Sequence, residues 1–487
     1  MGNEWINKTI EDIAKHQKGF AFKSKDYQEV GCPVVRVSNF TEDSIDCSSL
    51  YFVSEKIQKE TEAVALIKND VVIATVGSWP KNPASIVGKT IRVPLEAEGS
   101  LLNQNAVRLR ASGCENFDQI FLYYLLKDKK FSDYIVSTAQ GSANQASITL
   151  KDIYGYSFDY PSDTERRKIS EILDSLDNKI QLNRETNQTL EAMAQALFKS
   201  WFVDFDPVFD NIIAHNLAHN NAPLHNIPEP LLPHAQRRLN VHNVGRGSAR
   251  QTAAHAFHHL FPQAFEQSDE PSVGIQGWVP KGWGVKTLAD ITTELRRGIS
   301  PKYAEKTGIR VINQKCIRHH EVNYSLCRLN DPALRKIEGR ELEIGDVLVN
   351  STGVGTLGRV APVKFLDEAT VVDSHVTVVR SNPAIYPTFV FAQLMIAKEW
   401  EIEALGEGST GQTELSRKIL SEQTVLCPNV KLLKAVDNIF EGLADKSVSN
   451  SRQLKELESL RDTLLPKLIS GELRIPDAEQ ATEALAK

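Results

Sequence analysis

PSDTERRKISEILDSLDNKIQLNRETNQTLEAMAQALFKSWFVDFDPV (161–208) and PNVKLLKAVDNIFEGLADKSVSNSRQLKELESLRDTLLPKLISGELRI (428–475) are the stretches on which the fold turns. Each opens on a proline and then repeats every seven residues. In the first, Ile169, Leu176, Asn183, Leu190 and Leu197 fall at heptad position a, with Ile172, Lys179, Thr186, Met193 and Ser200 at d. In the second, a holds Val436, Leu443, Asn450, Leu457 and Leu464, and d holds Ile439, Lys446, Gln453, Leu460 and Lys467. Every position is displaced by the same offset, 428 − 161 = 267. Five heptads predict a long helix of coiled-coil type in each stretch. At 1.5 Å per residue, residues 163–201 give a helix of roughly 58 Å. Both patterns have apolar ends and a polar middle, with Asn183 and Asn450 at the centre. A polar residue at a costs stability and fixes register and orientation; the alternative is a middle that faces solvent or a partner. Units related by an approximate two-fold would lay the helices antiparallel with their polar middles together.

Outward from the helices, the chain reads as one unit written twice. IKNDVVIATVGS (67–78), LLNQNAVRLR (101–110) and GSANQASIT (141–149) recur as EIGDVLVNSTG (343–353), VVDSHVTVVR (371–380) and GSTGQTELS (408–416). Asp70 matches Asp346, Arg110 matches Arg380, and Gln145 matches Gln412. Short β-rich runs alternate with turns, and a helical stretch comes late in each copy, so each is expected to be a mixed α/β globule. The expected order is a first globule (1–161), a central helix (162–206), a connector (207–282), a second globule (283–428), a second helix (429–470) and a flexible tail (471–487). The connector holds eight prolines and eight of the twelve histidines, and reads as a crossing segment with one short helix near 250–260.

At 487 residues, 41% hydrophobic and 24% charged, the chain has room for two to four domains. It contains no apolar run near the ~20 residues that span a bilayer, and its N-terminus has no signal-like apolar core. Six cysteines without a CxxC pair point to reduced thiols and a cytoplasmic location. The net charge of −6 argues against indiscriminate nucleic-acid binding. Gly353, Gly355 and Gly358 spell GxGxxG, yet lie between two strand-like runs, so a glycine-rich hairpin is expected rather than a nucleotide loop. His255, His258 and His259, and the set Cys316, His319, His320 and Cys327, match no standard metal spacing, and no metal is expected. Nothing resembles a reaction centre, and no catalytic residue is assigned.

Two stretches are basic and free of acids. Lys15, His16, Lys18, Lys23 and Lys25 lie between Asp12 and Asp26, with Phe20 and Phe22 interleaved; Arg310, Lys315, Arg318, His319 and His320 lie between Glu305 and Glu321. Such loops suit phosphate contact, and Arg, Asn and Gln can read base edges; a solvated face is the alternative. Arg36 and the matching polar loops around Asn144, Gln145, Gln412 and Thr413 complete the set of candidate DNA-binding residues.

These residues resemble a known family. The proline-led helices, LFKSWFVDFDPV (197–208) closing the first and LLPKLISGELRI (464–475) closing the second, look like the DNA-specificity subunit of type I restriction–modification enzymes. The resemblance covers essentially the whole chain, apart from the His/Pro-rich 209–256. It implies a non-enzymatic reader: each globule a target-recognition domain for one half of an asymmetric bipartite DNA sequence, the helices a spacer and a dock. It further implies modification subunits, two copies expected, that bring S-adenosylmethionine, and a restriction subunit that brings ATP and Mg2+. Because the family's recognition domains diverge, it implies no particular base-reading residue. Rival readings are a coiled-coil adaptor that binds only proteins and, further off, a DNA methyltransferase.

Overall fold

The computed structural model describes residues 5–79, 87–113, 115–142, 145–245, 253–406, 414–473 and 475. The chain divides into two compact units, residues 1–183 with 453–487, and residues 184–452. Each unit therefore combines one globule with half of each long helix. The helices run over Asp163–Phe198 and Val430–Ile469.

In the first unit a four-stranded antiparallel sheet has the order 14–18, 106–111, 71–74, 90–92. The run VVIA (71–74) is buried throughout, which its alternation explains. Val71 and Ile73 join the core under the helices, while Val72 and Ala74 join the core beneath a second sheet. That second sheet has the order 27–28, 51–53, 32–35, 101–102, its last pair parallel. The helices Asn116–Lys127 and Lys129–Thr138 cover the first sheet. Ile169, Leu173, Leu176 and Ile180 of the first long helix, with Leu457, Leu464 and Leu468 of the second, close the same core.

The second unit repeats this plan. Its sheets have the orders 292–297, 376–381, 347–350, 360–362 and 303–304, 328–330, 309–312, 370–372, again with the last pair of the second sheet parallel. One ion pair is reproduced almost atom for atom. Arg110 Nε and Nη2 donate to the Asp70 carboxylate at 2.6 and 2.8 Å, and Arg380 donates to Asp346 at the same distances. Asp70 and Asp346 are each 1% exposed. A buried carboxylate requires such a bidentate partner, which accounts for the Asp and Arg recurring in both copies. The three glycines of GxGxxG lie in the loop between the paired strands 347–350 and 360–362, as the strand-like runs on either side of them predict.

Two expectations are corrected. Residues 207–282 are not a bare connector. They form helices Asp206–Ala218 and Leu232–Gly245, a 3-10 helix Ala253–Leu260 and a hairpin of 265–267 with 278–280. Phe209, Ile212, Leu231, Ala235 and Phe261 enter the core of the second unit beside Phe202, Phe205 and Trp283. The helical spacing of Phe205, Phe209 and Ile212 supplies the buried stripe, and prolines and histidines dominate the composition around it.

The second correction concerns the heptads. Position a is buried as expected at Ile169, Leu176, Asn183, Val436, Asn450, Leu457 and Leu464, but the column buried beside it is mainly e, with d buried only at Ile172. Leu173, Ile180, Ala194, Trp201, Phe440, Ser447, Arg461 and Leu468 are buried, whereas Lys179, Met193, Lys446 and Lys467 are exposed. Columns a–d and a–e both recur every seven residues, so the period alone leaves open which flank of a is covered.

Candidate nucleic-acid interface

In the first unit, Lys15 and Lys18 stand exposed on the edge strand 14–18. Gly19 follows, and here no side chain fits: a Cβ would lie 2.0 Å from the carbonyl oxygen of Asn103. The second unit repeats the arrangement at Arg297-Gly298, where a Cβ would lie 2.1 Å from the Val372 oxygen. Both copies thus pass from the first sheet to the second through a crossing only glycine permits. Beyond it Lys23 and Lys25 are exposed about a 3-10 turn at Ser24–Asp26, where the Lys23 backbone N–H donates to the Asp26 carboxylate at 2.8 Å.

A row of rings joins this basic segment to Arg36. Phe20 lies 5.1 Å from Phe22, Phe22 6.4 Å from Tyr27, and Tyr27 5.1 Å from Tyr51, centroid to centroid. The guanidinium of Arg36 sits 3.6 Å over the Tyr51 ring. Gln145 is exposed opposite Ser142 in the hairpin of 140–142 and 145–147. Its neighbour Asn144, and Gln412 and Thr413 in the second copy, lie outside the described residues.

In the second unit, Lys315, Arg318 and His319 are exposed around a small hairpin of 317–318 and 321–322. The hairpin turns through His319 and His320, with φ of 52° and 56°. Left-handed backbone at two histidines is costly, and His320 is held by several partners. Its Nε2 bonds Glu399 at 2.7 Å, and its Nδ1 lies 3.1 Å from the Gln195 amide and 3.8 Å from Glu191. The bond to Glu399 pushes the imidazole's pKa up, with Glu191 adding to it against burial and Lys364. Glu191 and Gln195 belong to the first long helix, so this clamp ties the basic hairpin to that helix. Arg310 differs from its neighbours. Its guanidinium is engaged by Asp367 and Glu368 at 2.5 and 2.6 Å, so the fold itself neutralises its charge.

Where the helices meet, the polar residues bond across. Asn183 Nδ2 donates to Gln453 Oε1 at 2.8 Å in the first unit. In the second, Asn450 Nδ2 donates to Asn187 Oδ1 at 3.0 Å, while Asn187 Nδ2 donates to Ser451 Oγ at 3.0 Å and to the Ser447 carbonyl at 3.3 Å. Asn183 and Asn450 thus each bond across to the other helix. Asn187, invisible to the a–d pattern because it stands at e, is the hub. The partners fall on one helix as they rise on the other, Asp177 with Arg461 and Asn183 with Gln453 in the first unit, Asn187 with Asn450 and Trp201 with Phe440 in the second, so the segments are antiparallel within each unit. In the first unit, Arg461 adds a bond to Asp177 at 3.0 Å, beside Asp43 at 3.5 Å. Burial works against its charge, and these carboxylates nevertheless hold its pKa above the ordinary range.

Residues 2–192 match the family model for the type I restriction modification DNA specificity domain. The type I restriction enzyme HindI specificity subunit of Haemophilus influenzae is 26% identical over 374 residues, covering 72% of this chain and 77% of that protein. The chain is thus similar to type I restriction–modification specificity subunits over most of its length. The MjaIX specificity subunit of Methanocaldococcus jannaschii is a further relative, 25% identical over 367 residues and covering 73% of this chain and 69% of its own. A crystal structure of the type I system S subunit from M. genitalium shares the fold at TM-score 0.50 and 15% identity, covering 96% of this chain and 97% of that one. No group of three or more His, Cys, Asp or Glu among the described residues could hold a metal ion. No helix among them is long and apolar enough to cross a membrane.

Proposed function

We propose that the chain is the non-catalytic, DNA-reading subunit of a type I restriction–modification complex, each globule reading one half of an asymmetric bipartite target. One observation carries the reading. The two globules share strand order, the Asp–Arg lock and the glycine crossing, yet their basic segments differ in both sequence and fastening. A true homodimer would demand a palindrome; a duplicated chain with diverged readers does not. Lys15, Lys18, Lys23, Lys25, Lys315 and Arg318, exposed and without a carboxylate within 4.0 Å among the described residues, supply phosphate contacts. The antiparallel helices set the spacing of the half-sites and dock the modification subunits, two copies, with a restriction subunit joining them in the cytoplasm. S-adenosylmethionine, ATP and Mg2+ belong to those partners.

The test is an exchange of residues 5–160 for the first globule of another family member, with methylome sequencing of a host carrying this chain and its modification partner. One half of the methylated motif changes and the other half persists. A change in both halves together would refute two independent readers.

A further inference from the structure

Most buried or half-buried arginines are fastened to carboxylates: Arg92 to Asp174, Arg166 to Asp118, Arg238 to Asp210, Arg310 to Asp367. Half-buried Arg36 and exposed Arg328 are held differently, each on a tyrosine ring. Arg36 lies 3.6 Å over the ring of Tyr51, and Arg328 lies 3.2 Å over the ring of Tyr303. Neither has a carboxylate oxygen within 4.0 Å among the described residues. Arg36 Nε is moreover out of solvent and without an acceptor, a cost to stability that folding does not require.

The two stacks share one position of the second sheet. Tyr27 pairs with Val53 at the outer edge of the second sheet in one unit, and Tyr303 pairs with Asn330 at that edge in the other. Tyr303 is thus the counterpart of Tyr27, and Arg328, two residues before Asn330, the counterpart of Tyr51. Each unit sets a guanidinium on a tyrosine of this sheet, between the second and third strands in the first unit and between the outer two in the second, so the stacks are built from different chain positions. The rings remain open to solvent, Tyr51 at 47% and Tyr303 at 41% exposed.

We infer that Arg36 and Arg328 are the specificity-determining forks of the two readers, each presenting its paired N–H groups to the O6 and N7 acceptors of a guanine in the major groove. The inference rests on the DNA-reading function proposed above and names the side chains that carry it. Stacking fixes the plane of the fork before DNA arrives, which benefits a bidentate, directional contact. The exposed lysines already serve the phosphates as point charges, which leaves the stacked forks for base edges. The different chain origin of the two forks suits two half-sites that differ.

The experiment uses the full chain with its modification partner, and reads the methylated motif by methylome sequencing with variants in this chain. Arg36→Ala and the charge-retaining Arg36→Lys each turn one guanine of one half-site degenerate, lowering discrimination there about 10-fold or more, while the other half-site is unchanged. Arg328→Ala and Arg328→Lys do the same to the opposite half-site. Tyr51→Phe, which keeps the ring, leaves the motif intact, and Tyr51→Ala mimics Arg36→Ala. An unchanged motif in the Arg36→Lys and Arg328→Lys complexes, or a uniform loss of methylation at every site with the motif preserved, would overturn the inference. Relaxation of the same half-site by both arginines would overturn it as well. A wild-type complex that methylates without sequence preference would instead refute the DNA-reading function itself.

Discussion

Asn187→Ala tests whether the polar middle of the helix pair is a fastener. In the second unit Asn187 accepts from Asn450 at 3.0 Å and donates to Ser451 and the Ser447 carbonyl. Asn450 is only 5% exposed, so alanine strands its amide donor out of water. An orphaned buried donor costs about 1–3 kcal/mol. The Ser451 hydroxyl can rotate to another acceptor and adds little. At a urea m-value of roughly 3 kcal/mol/M the transition midpoint falls by roughly 0.3–1 M. The double variant Asn187→Leu, Asn450→Leu behaves oppositely. It removes donor and acceptor together and leaves two apolar side chains in the seam, so its midpoint equals or exceeds that of the wild type. What the double variant loses is register, because leucines pack equally well one heptad along. Urea titration followed by circular dichroism gives the two midpoints, and cross-linking between cysteines placed on the two helices gives the register. A midpoint for Asn187→Ala at the wild-type value, or a leucine pair as unstable as the single alanine, would refute the fastener.

Two further outcomes concern the helices and the hairpin. Four residues inserted after Thr189 and four after Asp445 leave Asn187 with Ser447, Asn450 and Ser451, lengthen both helices by about 6 Å, and rotate the helix beyond each insertion by only about 40°. The non-specific spacer of the methylated motif then grows by one or two base pairs at about 3.4 Å each with both half-sites unchanged, and methylation at the original spacing would remove the helices as the measure of distance. The second outcome is a pH dependence. Because the bond to Glu399 raises the His320 pKa, with Glu191 adding to it against burial and Lys364, its charged form is favoured in the folded state. That stabilisation is complete below about pH 6.5, the ordinary value, and is lost as pH rises through the folded value. Urea resistance of the wild type therefore falls between pH 6 and pH 8 by more than that of His320→Asn, whose asparagine still tolerates φ near 56°; equal slopes for the two proteins would show that the imidazole is not protonated in the clamp.

Period and repetition were legible in the chain before any fold was known. Heptads dictated two long helices because the 3.6-residue turn is local to the chain. The sequence showed the Asp and Arg recurring in both copies, and the fold showed that they form the Asp70–Arg110 and Asp346–Arg380 locks. The resemblance to type I specificity subunits, too, was legible, in the two helix endings. Which side of each helix is covered was settled only by packing, since a seam at a–d and one at a–e have the same period, and the choice fell to the globules that supply Ile10, Phe121 and Phe391 to the cores. Packing also determined that Arg310, promising among basic neighbours, is neutralised by Asp367 and Glu368, more than fifty residues away in the chain. It placed Arg328, unremarkable in the sequence, on Tyr303. Local periodicity propagates along a chain, whereas the partner of a charge is chosen across it. A basic residue's availability to DNA is therefore established only when the fold has brought, or failed to bring, a carboxylate to meet it.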